Sequence, residues 1–116
     1  MITGIDLDYS VDYTLSKDKE NPTVWKIGVI PSSLYARIIG DDIGSDKLYK
    51  LVSVCLKGIS NSEIKYKTVE VYMFGRKVNA VPFDVLDKID QSDIAELAAK
   101  CIDVNKGLSK DEEKNS

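Results

Sequence analysis

This chain contains no histidine, only two cysteines, three prolines and a single tryptophan in 116 residues. The missing histidine excludes Ser-His and Cys-His nucleophilic arrangements outright. Two cysteines, Cys55 and Cys101, fall short of a zinc site of the usual kind without histidine. No GxxxxGK[ST] or GxGxxG motif occurs, so no phosphate-cradling loop is supported. No apolar run approaches the roughly 18 residues that span a bilayer, and nothing resembles a signal peptide. The expectation is therefore a soluble chain made inside the cell, with no membrane contact, no metal and no cofactor.

The acids offer no site either. Asp6, Asp8 and Asp12 have part of a calcium-loop spacing, but the turn glycine and the final bidentate glutamate are missing. Asp41-Asp42 reads as a polar loop. Both cysteines sit at apolar helical positions, as buried free thiols would in a reducing compartment. A disulfide would need their helices side by side, which the sequence leaves open.

What is present suits one small domain. The length fits a single core, and 43% hydrophobic content is too high for a disordered chain. The net charge is −3, unevenly placed. Residues 47–77 hold seven bases against two acids, and residues 84–116 hold nine acids against five bases. Solvated faces account for this; self-association, an acidic end meeting a basic middle, is the sharper reading.

Residues 5–16 alternate strictly, with Ile5, Leu7, Tyr9, Val11, Tyr13 and Leu15 on one face, predicting a half-buried strand. A polar turn at 17–22 leads to a second strand over 23–30. Pro31-Ser32-Ser33 reads as a helix start, with Leu34, Ile38 and Ile39 facing inward and Gly40 or Gly44 as the stop. Ser45 or Asp46 caps a helix carrying Leu48, Leu51, Val52, Cys55 and Ile59. Strands follow over 64–74 and 77–81, turning at Gly75-Arg76, then a short helix over 85–89. Ser92 or Asp93 caps the last helix, with Glu96 placed for a capping box. Its stripe is Ile94, Leu97, Ala98, Cys101 and Ile102, and Gly107 stops it. The order is ββααββαα: an α+β domain over 1–108, with two hairpins, about four helices and a polar flexible tail over 109–116.

Lys65-Tyr66-Lys67 and Arg76-Lys77 mix bases with Tyr66, Tyr72 and Phe74, as a nucleic-acid stacking surface would. The acidic total favours an ordinary amphipathic hairpin, so nucleic acid is not an expected partner.

Two blocks carry a family resemblance. Residues 20–38, ENPTVWKIGVIPSSLYARI, and residues 93–116, DIAELAAKCIDVNKGLSKDEEKNS, resemble the two ends of small tailed-bacteriophage morphogenesis proteins, most often tail assembly chaperones. The relatives often carry a Gly-x-x-x-Trp block after the central helix, whereas Gly58-Ile59-Ser60-Asn61-Ser62 here has no aromatic. The resemblance implies no catalysis. It implies a protein that coats a helical tape-measure protein in the host cytoplasm until tail-tube subunits replace it. A stable virion component of head, connector or tail is the alternative. The partner-contact candidates are Trp25, Tyr35, Leu97, Cys101 and Ile102.

Overall fold

The computed structural model describes Gly4, residues 6–40 and residues 46–115, with side-chain surroundings through Lys106. The expectations at Ile5, Asp41, Asp42, Gly44 and Ser45 lie outside the described residues. The architecture is α+β: two small antiparallel sheets and four helices. The order is β1 (Ser10–Tyr13), β2 (Val24–Gly28), α1 (Ser32–Ile39), α2 (Lys47–Cys55), β3 (Leu56–Ser60), β4 (Val69–Met73), β5 (Arg76–Ala80), α3 (Phe83–Leu86) and α4 (Gln91–Asn115).

β2 is the centre of the larger sheet. It pairs with β1 through Ser10↔Gly28 to Tyr13↔Trp25, and with β3 through Val24↔Ser60 to Ile27↔Leu56, with a bulge at Lys26/Ile27. Period-two alternation buries Trp25 and Ile27 and exposes Lys26 between them. α4 covers this buried face and packs along α2. Ile94, Leu97, Ala98, Cys101 and Val104 of α4 meet Leu51, Val52 and Cys55 of α2 in one continuous core. α1 adds Leu34 and Ile38, one helical turn apart.

β3 is an element the periodicity missed. The central helix ends at Cys55 and the chain turns directly into strand, so Ile59 lies on β3 and not on a helical stripe. Leu48, also assigned to that stripe, points outward. The first strand is shorter than its alternation suggests. Asp6 accepts the Asp8 N–H on its side chain and the Tyr9 N–H on its carbonyl, curling 6–9 into a turn. Residues 64–68 form no strand, and only Val69–Met73 pairs with β5.

The helix ends differ in detail. Pro31, not a serine, occupies the cap of α1, and Gly40 closes it. α3 begins after Pro82, at Phe83, two residues earlier than expected. Asp90 precedes α4: its carbonyl accepts the Asp93 and Ile94 N–H groups, and its carboxylate takes the Ser92 hydroxyl at 2.7 Å. Glu96 forms no capping box; it reaches across to β1. α4 runs past Gly107 to Asn115, since one glycine costs a helix only about 1 kcal/mol.

Candidate functional site

The five sequence-derived contact residues do not make one surface. Trp25, Leu97 and Cys101 are buried in the core, because β2 and α4 turn these faces toward each other. They present no area to a partner in this fold. Tyr35 and Ile102 are half-buried and pack on the edge of the core. Burial raises the Tyr35 phenol above its ordinary range.

Behind these residues lies a polar cluster at the α2–α4 seam. Asn105 Oδ1 accepts the Ile30 N–H at 3.1 Å. Its Nδ2 donates to the Cys101 carbonyl at 2.8 Å and lies 3.7 Å from Cys55 Sγ. Both cysteines are free and fully buried. The hydrogen bond with Cys55, then burial, hold the Cys101 thiol far above its ordinary value. Both thiols pack within the core.

The open surface of interest lies elsewhere, around Phe74. The β4–β5 turn places Phe74 (φ 55°) and Gly75 (φ 78°) in the left-handed region, as a two-residue hairpin turn requires. A bulky side chain rarely adopts this conformation. Phe74 is held there between two helices: Arg37 of α1 lies 5.4 Å from the ring centroid and Lys50 of α2 lies 5.5 Å away. Arg76 reaches back across the turn to the Ser33 hydroxyl at 2.9 Å.

Beside the ring is a shallow cleft of about 400 Å³, lined by Asp46, Lys50, Val71, Tyr72, Met73, Phe74 and Phe83. Its floor is apolar and adaptable at Met73. Tyr49 braces its wall, 6.4 Å from the Phe83 ring. Tyr72 stands 76% exposed at the rim. Its charged lining is one acid and one base, Asp46 and Lys50, beside these apolar groups.

It does not form a continuous basic track for a phosphate backbone. Asp46 pairs with Lys50 at 3.5 Å and Glu70 with Lys77 at 3.2 Å, and Tyr66 is half-buried. Among the described residues no group of three or more carboxylates or thiols gathers as a metal site. No helix among them is long and apolar enough to cross a membrane.

The sequence flagged Phe74 as part of a strand before a turn and as one aromatic of a nucleic-acid stacking surface. Nothing local in it brings Arg37 and Lys50, 37 and 24 positions earlier, onto that ring. No protein family, curated protein or solved structure matches this chain.

Proposed function

We propose that this chain is a non-enzymatic protein of tailed-phage morphogenesis, a tail assembly chaperone that binds the tape-measure protein in the host cytoplasm. The reading rests on the resemblance of residues 20–38 and 93–116 to the two ends of such proteins. One observation supports treating those blocks as a single unit. Asn105, in the second block, holds the buried backbone N–H of Ile30, in the first, at 3.1 Å. A binding role also suits the shallow, open clefts among the described residues.

A chaperone leaves when the tail tube closes, so the test is persistence. The chain should co-purify with the tape-measure protein when the two are expressed together. It should be missing from mature virions by mass spectrometry. Near-stoichiometric copies in mature particles would overturn the chaperone reading in favour of a stable virion component.

A further inference from the structure

The α2–α4 seam gathers both of the chain's sulfhydryls. Cys55 closes α2 and Cys101 lies in the middle of α4, and both are free and fully buried. α4 packs along α2, and the Cys101 thiol sits within hydrogen-bonding reach of the Cys55 thiol. Asn105 organises both residues. Its Nδ2 donates to the Cys101 carbonyl at 2.8 Å and lies 3.7 Å from Cys55 Sγ. Leu51, Val52, Leu97 and Ala98 belong to the same buried core, so neither thiol is free to swing away. Packing alone asks only for two small apolar groups here; what sets the pair apart is that the two sulfurs adjoin.

We propose that Cys55 and Cys101 form a disulfide site, which in an oxidising medium joins α2 to α4 covalently. The oxidant is a small-molecule disulfide, such as oxidised glutathione. One protein thiolate attacks it: the glutathione S–S bond breaks, a mixed disulfide forms and one glutathione thiolate leaves. The second protein thiolate then attacks the protein sulfur of that mixed disulfide. The Cys55–Cys101 bond forms, the second glutathione leaves, and the two protein thiol protons end on two glutathione thiols. The protein gives up two electrons and the oxidant takes them.

Attack needs a thiolate that reaches solvent, and neither sulfur does so in the closed fold. The bond therefore forms as the chain folds, or when α4 lifts from α2. Its equilibrium is set by the closed fold and not by the route. A fold that holds two thiols against each other raises their effective concentration above that in the open chain. The bond closes a ring through β3, the β4–β5 hairpin and α3, and ties down the helix that covers Trp25 and Ile27. In a reducing compartment packing alone holds α4; after transfer to an oxidising one it is fastened. The proposal needs no partner and is independent of the phage reading.

Equilibrating the full chain with reduced and oxidised glutathione tests this, once after refolding in buffer and once in denaturant. Acid quenching stops the exchange, and mass spectrometry counts the monomer that has lost two hydrogens. The constant for forming the bond should be at least about tenfold larger in the folded chain than in the denatured one. By linkage the same factor should reappear as added stability of the oxidised chain in denaturant titrations, and a dithiol reductant should remove it. A constant that is equal or smaller in the folded chain, or oxidation that yields only glutathione adducts or cross-linked dimers, would overturn the proposal. Cys55→Ala and Cys101→Ala each keep one thiol and should show no loss of two hydrogens; a loss in either variant refutes the pairing. The wild-type comparison decides the matter even where a variant fails to fold.

Discussion

Glu96 on α4 accepts the hydroxyl of Tyr13 on β1, and the same carboxylate takes the Ser16 N–H at 2.9 Å and the Ser16 hydroxyl at 2.9 Å. One side chain thus pins the end of the edge strand to the last helix. The Tyr13 bond, then those from Ser16, hold the Glu96 carboxyl below its ordinary value of 4.5. A depressed folded pKa contributes stability that is present above 4.5 and lost as pH falls through the folded value. Thermal melts across an acid series should therefore show an acid limb that is shallower in Glu96→Gln. Equal acid limbs would refute the assignment. Tyr13 works at the other end: the Glu96 bond raises its phenol above 10.0, so this stability disappears as pH rises through that raised value.

Asn105 is the most exacting polar position in the core. Replacing it with Ala leaves the buried Ile30 N–H without an acceptor, at a cost of about 1–3 kcal/mol. Chemical denaturation should show the midpoint falling with the slope unchanged. Asn105→Asp should restore the acceptor for Ile30 but not the donor for the Cys101 carbonyl, and so remain destabilised.

The thiols report on the same seam. Cys55 and Cys101 are both fully buried, so the native chain should give almost no reaction with a thiol reagent, and two equivalents after denaturation. Fast labelling of the native chain would mean that α2 and α4 part readily.

Trp25 is the single tryptophan, 4% exposed, and its indole N–H has no hydrogen-bond partner among the described residues. Its fluorescence should be blue-shifted and poorly quenched by iodide. Trp25→Phe removes the unpaired donor together with part of the ring. It should therefore be much milder than Trp25→Ala, which opens a cavity at about 3–5 kcal/mol.

The parts of the fold legible in the sequence are those whose pattern is local. Trp25 and Ile27 alternate, Leu34 and Ile38 sit one turn apart, and the α4 stripe follows i, i+3, i+4 and i+7, so each element declared its buried face. β3 did not, because Leu51, Val52, Cys55 and Ile59 satisfy a helical period, and only pairing with distant β2 turns Leu56–Ser60 into strand. The capping box failed for the same reason in reverse: a good local partner for Glu96 lost to Tyr13, 83 residues away. The Phe74 cleft was illegible because its walls come from α2, the hairpin and the start of α3. The exposed turn at Leu7 and Tyr9 was hidden by a perfect alternation that Asp6 breaks with its own side chain.

These long spans order the birth of the molecule. The edge strand is fastened by Glu96 across 83 and 80 residues, and the end of β2 by Asn105 across 75. Loop-closure entropy makes such contacts late ones. Trp25 and Ile27 on the β1–β2 hairpin therefore stay uncovered until α4 docks on that face. The last helix is the piece that closes the sheet.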